Sequence, residues 1–167
     1  MTTQYTEMAS PLGTLLLTAE DGQLTGVHFA GQKHDRPVQP GWQRADDTPA
    51  LARARAQLAE YFAGRRTSFE LPLAPAGTPF QQAVWRALLA VPFGATSTYG
   101  AIARAVGKPS AVRAVGSAVG ANPLGIVVPC HRIVGRDGSL TGYAAGLERK
   151  ARLLALERRA SQLELTA

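Results

Sequence analysis

The only cysteine of the chain, Cys130, lies in the string Pro129-Cys130-His131-Arg132, between short apolar runs at 126–128 and 133–134. A single thiol cannot form an internal disulfide, and it lacks the partner cysteines of a typical structural zinc site. Cys130 is therefore either an apolar filler of the core or a nucleophile. These residues alone leave both interpretations open.

His131 is the nearest candidate base for Cys130. A thiolate attacks far better than a thiol, and a free cysteine with a pKa near ~8.5 is mostly protonated at neutral pH. Neighbouring residues of a strand point to opposite faces, so adjacency alone does not bring the two side chains together. Either the backbone turns sharply here, as Pro129 and Asn122-Pro123 favour, or a water bridges the two groups.

A histidine base also needs a group that orients it. The second half of the chain offers four carboxylates: Asp137, Glu148, Glu157 and Glu164. Glu157 lies in a predicted final helix, 147–157, whose leucines favour docking onto the core, and residues 161–167 are predicted to fray. This placement favours Glu157, and the alternative is a solvated glutamate on the helix surface.

The first 75 residues predict a small lobe of strands with one helix. Residues 12–29 form a β-hairpin around Asp21-Gly22, and the polar stretch 31–49 is an exposed loop. Pro49 opens a helix that ends at Gly64, with Leu51, Leu58, Tyr61 and Phe62 facing the core. Residues 68–73 are predicted as a further strand. The prolines and glycines of 72–79 then mark a domain boundary.

The second half predicts three short helices. Phe80, Val84, Leu88 and Val91 recur at helical spacing, and 98–106 forms a second helix with Thr98 as N-cap. Ser110 caps a third helix that runs to Gly120, with Val112, Val115 and Val119 on its buried face. Two short helices joined by a tight turn are typical of a helix-turn-helix motif.

The other face of the third helix carries an unusual stripe of Arg113, Gly116, Ser117 and Gly120. Glycine inside a helix costs roughly 0.5–1 kcal/mol relative to alanine, so two on one face need an explanation. Close approach of a partner's backbone is one explanation, and tight packing against a neighbouring helix is the other. On a smooth surface, Arg113 has a shape suited to entering a stack of bases.

Charge divides the chain unevenly. Residues 1–75 hold 7 Lys/Arg and 8 Asp/Glu, a net −1, whereas 76–167 hold 11 Lys/Arg and 4 Asp/Glu, a net +7. Arginine accounts for 15 of the 18 basic residues, which suits phosphate binding; the alternative is a solvated basic surface. No apolar run approaches the roughly 20 residues that span a bilayer, so we expect a cytoplasmic protein, nucleoid-associated if bacterial.

Together these residues resemble the O6-alkylguanine-DNA alkyltransferases, the methylated-DNA–protein-cysteine methyltransferase family. The resemblance covers 78–157 through ordered motifs: Thr98-Tyr99-Gly100, Val112-Arg113-Ala114-Val115-Gly116, Ala121-Asn122-Pro123, Pro129-Cys130-His131-Arg132, Thr141-Gly142-Tyr143 and the helix 153–157. Residues 1–75 match in layout only. The implied fold class is α/β (α+β): a ribonuclease-H-like sheet lobe, 1–75, and a mostly helical winged-helix-like lobe with a helix-turn-helix, 76–167.

The resemblance implies that Cys130 takes the alkyl group from O6 of a damaged guanine in one irreversible step. His131 would take the thiol proton through a water, Glu157 would orient His131, and Asn122 would brace the turn that carries the cysteine. Each molecule would act once. No cofactor is implied.

The resemblance also implies a DNA-binding face and a base pocket. Double-stranded DNA would bind through its minor groove, with the damaged base flipped out. Tyr99 would contact that base or its phosphate, Arg113 would fill the vacated place in the stack, and Gly116, Ser117 and Gly120 would allow close approach. Val128, Tyr143 and Ala144 would line the pocket. We expect a monomer in solution and no membrane contact.

Three features depart from the family pattern. Ala144 stands where some members have a serine that hydrogen-bonds O6, so only a backbone N–H could serve. Ala145 replaces a frequent glycine, which would narrow the pocket toward small alkyl groups. Members with an N-terminal zinc have additional cysteines, so we expect no metal here.

Three other classes of function compete with the alkyl transfer. A relative that only binds the lesion would lack the nucleophile, which Cys130 supplies. A helix-turn-helix regulator with an inert cysteine would leave the Pro-Cys-His-Arg string and Glu157 unexplained. A Cys-His hydrolase acting on a small substrate would have no use for a basic lobe.

Overall fold

The computed structural model describes residues 2–32 and 37–166, without the side chains of 164–166. A four-stranded sheet in the order β3-β2-β1-β4 forms the first lobe. Its strands are β1 (Gln4–Met8), β2 (Leu15–Glu20), β3 (Gln23–Phe29) and β4 (Gln43–Arg44). Asp21 and Gly22 have φ of 50° and 76°, the left-handed geometry of a two-residue hairpin turn, which confirms the predicted hairpin.

Two parts of this lobe differ from the sequence prediction. The predicted loop 31–49 contains β4, which pairs in parallel with β1, while residues 33–36 lie outside the described part. The predicted strand 68–73 is wrong: only Leu73 bridges the sheet, beside Leu24. Pro72 has no N–H for a ladder, and the Gln57 side chain takes up both backbone groups of Glu70 (2.9 and 3.1 Å).

Helix α1 (Pro49–Phe62) covers the sheet as predicted. Leu51, Leu58 and Tyr61 are fully buried, and Gly64 follows the helix with φ 76°. Since Tyr61 lies in the last turn of α1, its side chain reaches the second lobe.

The second lobe is built around α2 (Pro79–Leu89), α3 (Tyr99–Ala105) and α4 (Val112–Gly120). Thr98 caps α3 as predicted, its hydroxyl accepting from Ala101 N at 3.1 Å. The predicted cap of α4 is wrong, because Ala111 occupies the N-cap position rather than Ser110 and makes no side-chain bond. Val112 is 42% exposed, so the buried face of α4 consists of Val115, Ala118 and Val119.

Behind the helices, a one-turn 3₁₀-helix (Cys130–Arg132) leads into β6 (Ile133–Val134), which pairs in parallel with β5 (Ser97–Thr98). Helix α5 (Leu147–Thr166) closes the lobe. It runs beyond the predicted end at 157 and includes residues 161–166 of the stretch predicted to fray. Leu153 and Leu154 are buried as expected, whereas Leu147 remains 48% exposed.

The two lobes share one hydrophobic core and a backbone connection beside the cysteine segment. Val27 of β3 donates its N–H to Pro123 O (2.9 Å) and accepts from Gly125 N (3.1 Å). The first lobe therefore fixes the start of the segment that leads to Cys130. No helix in the described ranges is both long and apolar enough to cross a bilayer.

Candidate active site

A sequence of tight turns carries Cys130, so the sharp backbone turn left open by the sequence is what the structure contains. Ile126 has φ 69°, a left-handed conformation that is strained for a β-branched residue. Val127 N donates to Gly125 O at 2.7 Å, and Cys130 N to Val128 O at 2.8 Å. The 3₁₀ turn follows directly, so Cys130 and His131 do not alternate as strand neighbours would.

Asn122 holds this turn from its inner side. Its Nδ2 donates to Val128 O (2.9 Å) and lies 3.2 Å from Sγ of Cys130, while its Oδ1 accepts from Leu124 N (2.9 Å). One amide therefore binds both sides of the turn and gives the sulfur a donor. A donor to sulfur stabilises the thiolate.

Cys130 is buried, with only 7% of the residue exposed. Burial raises its pKa, which the Asn122 hydrogen bond and the charge of Lys150 partly oppose. Free protein therefore carries a protonated thiol at neutral pH, and the proton must leave during the reaction.

Lys150 is a buried cation that sequence reasoning missed. It is 0% exposed, and its Nζ donates to Thr141 O at 2.7 Å. Burial lowers its pKa, and Cys130 acts in the opposite direction. Its position in the first turn of α5, on the face that also carries Leu153 and Glu157, was the available sequence signal.

His131 and Glu157 form a buried pair. Nε2 of His131 lies 2.6 Å from Oε2 of Glu157, and both side chains are essentially inaccessible. Burial lowers the pKa of His131, so the ring is neutral at pH 7. Burial alone would raise the pKa of Glu157, but hydrogen bonds from His131 and Arg132, and the positive charges that both carry at acid pH, hold it at about 2.

This pairing assigns the tautomer of the ring. An ionised Glu157 can only accept, so Nε2 carries the hydrogen and Nδ1 carries a lone pair. Nδ1 is buried and has no hydrogen-bond partner within the described part of the chain. The ring thus presents a free basic nitrogen that can take up a proton.

Two further donors to Glu157 were not predicted as site residues. Arg132 binds both carboxylate oxygens, Nε to Oε1 at 2.8 Å and NH2 to Oε2 at 3.1 Å, and its NH1 donates to Val91 O. Tyr61 of α1 donates its hydroxyl to Oε2 at 2.6 Å. A buried arginine requires a carboxylate partner, so Arg132, directly before the apolar pair Ile133-Val134, was the signal that pointed to a buried acid.

An open groove of about 770 Å³ lies in front of this cluster. Seven of the twelve predicted site residues line it: Tyr99, Gly116, Ser117, Gly120, Asn122, Tyr143 and Ala144. Tyr99 OH lies 3.1 Å from Thr141 Oγ1, which joins the two walls of the groove. Arg113 is exposed on α4 outside the groove lining, and Val128 is buried behind it.

The glycine stripe of α4 faces open space. A Cβ on Gly120 would meet no atom within 4 Å, and one on Gly116 would lie 3.9 Å from the Tyr99 ring. Tight packing against a neighbouring helix, one of the two explanations for the stripe, is therefore wrong.

Cys130 itself lines a separate cavity of about 20 Å³. A cavity of this size holds about one water molecule. Its wall includes Asn122, Tyr143 and Ala144, which also line the groove, together with Ala145. Burial and the nearby Cys130 raise the pKa of Tyr143 well above its usual value. A thin wall of residues therefore separates the thiol from the groove.

No metal centre accompanies the cysteine in the described residues, where no three His, Cys, Asp or Glu side chains come together. The fold and the site define a class of protein: a lobe of short helices with an open groove, behind which an asparagine contacts one buried cysteine and the next residue is a histidine paired with a buried glutamate.

Comparison with known proteins identifies the family. Residues 3–75 match the ribonuclease-like domain of 6-O-methylguanine DNA methyltransferase, and residues 79–159 match its DNA-binding domain. The chain is 48% identical to a methylated-DNA–protein-cysteine methyltransferase of Mycolicibacterium paratuberculosis, over 98% of this chain and 97% of the relative. A constitutive enzyme of that name from Bacillus subtilis is 48% identical, over 92% and 94%.

Solved structures agree. The Mycobacterium tuberculosis OGT in complex with DNA superimposes with a TM-score of 0.86 at 44% identity, covering 94% of both chains. The M. tuberculosis O6-methylguanine methyltransferase gives 0.86 at 43% identity, covering 99% of both. The chain belongs to the 6-O-methylguanine DNA methyltransferase family, which confirms the resemblance and the α/β fold class. The boundary at 75/76 and the individual site roles stay predictions.

Proposed function

We propose that this protein repairs DNA by moving the alkyl group of O6-alkylguanine onto the sulfur of Cys130, once per molecule. One observation carries the proposal: behind a groove lined by the helix-turn-helix, Asn122 holds the Cys130 thiol and the adjacent turn residue, His131, has a free Nδ1. Family membership supports the same reaction.

The cluster supplies each part of the transfer. The thiol proton passes through a bridging water to Nδ1 of His131, and ionised Glu157 stabilises the resulting imidazolium. The sulfur–carbon bond forms while the bond between the alkyl carbon and O6 breaks. The electron pair of that bond stays on the guanine, which takes up a proton. No later step releases the alkyl group from the thioether at Cys130, so the protein acts once.

Access to the sulfur requires a flipped base and a moving wall. A guanine is far larger than the one-water cavity at Cys130, so Tyr143, Ala144 and Ala145 have to move when the base arrives. Exposed Gly142 and Gly146, the latter with φ 99°, flank this segment and can absorb the change. Extrusion of the base from the duplex is the matching step on the DNA side.

The outer face supplies the DNA contacts. The open glycine stripe of α4, with Ser117, allows the backbone of a minor groove to approach. Exposed Arg113 fills the place that the flipped guanine leaves, and Tyr99 in the groove contacts the base or its phosphate. The basic second lobe binds phosphates, so affinity falls as salt rises.

The pocket favours small alkyl groups. Ala144 offers no side-chain donor to O6, which leaves the backbone N–H. Ala145 is 8% exposed and lines the cavity of the thiol, so its methyl group occupies space that a glycine would leave to the substrate.

Mass measurement after incubation with a duplex that contains O6-methylguanine tests the proposal. We expect a single added methyl group on the wild-type protein and none on Cys130→Ala, with peptide mapping to Cys130. Binding to the lesion without an adduct would support a binding-only relative. Repeated turnover of a small ester or amide would support a hydrolase. Cytoplasmic location and the monomeric state stay predictions.

A further inference from the structure

Tyr61 connects the first lobe to the chemistry of the second. It lies in the last turn of α1, is 0% exposed, and donates its hydroxyl to Oε2 of Glu157, 96 residues away, at 2.6 Å. The same oxygen accepts from Nε2 of His131 at 2.6 Å and from Arg132 at 3.1 Å. Tyr61 and His131 therefore compete for the charge of one carboxylate oxygen.

Packing alone does not account for a tyrosine at this position. The ring contacts Phe62, Phe69 and Phe93, with centroids 5.3, 5.6 and 6.1 Å away. A phenylalanine would make the same ring contacts without burying a hydroxyl. Burial, followed by the charge of Glu157, raises the pKa of the phenol well above its usual value, so Tyr61 remains a donor at any working pH.

We propose that Tyr61 is a positioning residue of the alkyl transfer: its hydroxyl, supplied by the first lobe, fixes Glu157 and limits how strongly that carboxylate draws a proton onto His131. This inference rests on the proposed function. A donor to Oε2 withdraws negative charge from the side of the carboxylate that faces the imidazole. Without it, Glu157 would stabilise the imidazolium of the resting protein more strongly, and a protonated His131 cannot accept the thiol proton.

The other charged and titratable groups around this pair are unchanged by a substitution of Tyr61. They are Arg132 from the 3₁₀ turn, Lys150 from α5, the Cys130 thiol and the phenol of Tyr143. Arg132 and Lys150 lower the proton affinity of His131, as does burial. Removal of the Tyr61 hydroxyl should therefore shift the proton affinity of His131 while the influence of these other groups stays the same.

Tyr61→Phe tests this directly. We expect the acidic limb of the single-turnover rate against pH to move up by roughly one unit, the size of one hydrogen bond to a charged group. The plateau at high pH should stay near wild type. Because the effect lies in the chemical step, the rates with duplex O6-methylguanine and with the free base should change by the same factor. The affinity for the duplex should stay unchanged.

The control is Tyr5→Phe, on β1, where the ring lies 6.4 Å from Trp42 and no contact reaches Glu157. We expect a wild-type pH profile from it. A Tyr61→Phe profile that superimposes on wild type, or that falls equally at every pH, overturns the proposal, since the latter describes a merely structural role.

Two further measurements keep the inference separable from the proposed function. The titration of the His131 ring by NMR in ligand-free protein, assigned by its loss in His131→Gln, should move upward in Tyr61→Phe, whether or not alkyl transfer occurs. If Tyr61→Phe does not fold, 3-fluorotyrosine at position 61 keeps the shape and strengthens the donor. It should move both the titration midpoint of His131 and the acidic limb of the rate profile to lower pH. If neither moves, the inference is overturned.

Discussion

The Glu157 network and the outer face of α4 are opposites in their physical design. Glu157 is 0% exposed, and four side-chain donor atoms and one backbone N–H surround its two oxygens. The α4 face has glycines with open space around them and an exposed arginine. All the donors to Glu157 come from the protein itself, whereas the α4 face leaves room for a binding partner. Stability should therefore depend on the first and recognition on the second.

Glu157→Gln should show the largest effect on stability. It leaves the Arg132 charge buried without a carboxylate partner and replaces one of the two acceptor oxygens by an amide donor, so unfolding should become easier by about 3–5 kcal/mol. Denaturant unfolding measures this loss, with Glu148→Gln, exposed on the same helix, as the matched control. A loss below about 1 kcal/mol in the first variant would show that the network contributes little to the fold.

Acid should destabilise the folded protein through His131 and Glu157. Both folded pKa values are depressed, so the unfolded chain binds more protons and stability falls as the pH falls. The His131 contribution declines below the unfolded histidine pKa of about 6.5, and the Glu157 contribution declines from about pH 4.3. With the folded pKa of Glu157 at about 2, its contribution is on the order of 3 kcal/mol at neutral pH.

Thermal unfolding across pH 2–7 checks this dependence. In Glu157→Gln the decline between about pH 4.3 and pH 2 should largely disappear, since no carboxylate remains to take up the proton. An unchanged acidic decline would assign it to other carboxylates.

Arg113→Ala should affect recognition and leave the network intact. Repair of a lesion in duplex DNA should fall by at least about tenfold, because an unfilled stack costs a few kcal/mol. Reaction with free O6-methylguanine and the unfolding free energy should stay at wild type. Arg136→Ala, in the exposed loop after β6, is the control for loss of one positive charge. Equal losses on both substrates would argue against a role in the stack.

Gly116→Ala should have the smallest effect on stability, and with the opposite sign. The new Cβ lies at an ordinary 3.9 Å from Tyr99, so folding should improve by about 0.5–1 kcal/mol while duplex affinity falls. Ala114→Gly, exposed on the same helix, should lower stability by a similar amount without loss of affinity. A Gly116→Ala variant that binds DNA as wild type would remove close approach as the reason for the glycine.

How much the sequence revealed depended on whether the signal was local. The hairpin at Asp21-Gly22 and the Thr98 cap follow from residue types next to each other, and both were predicted. The pair of His131 and Glu157 was anticipated because few carboxylates were available in the second half. Tyr61 could not be found in this way, because only the packing of α1 against the second lobe brings it to Glu157.

The incorrect predictions also have local causes. Residues 68–73 have the composition of a strand, but Pro72 and the side chain of Gln57 compete with ladder formation. Ser110 precedes a helix at the usual spacing, yet the turn after Lys108 places Ala111 at the N-cap. Lys150 enters the sequence analysis only within the count of basic residues in 76–167, and a charge count carries no information about burial.

The narrow space at the sulfur has a consequence for how the molecule survives until it is needed. A protein that reacts once is lost if a soluble oxidant or electrophile reaches its sulfur first. A protonated thiol behind the wall of Tyr143, Ala144 and Ala145 reacts slowly with such reagents. The residues that a flipped base must displace to reach the sulfur therefore also protect the thiol from soluble reagents before the protein meets a lesion.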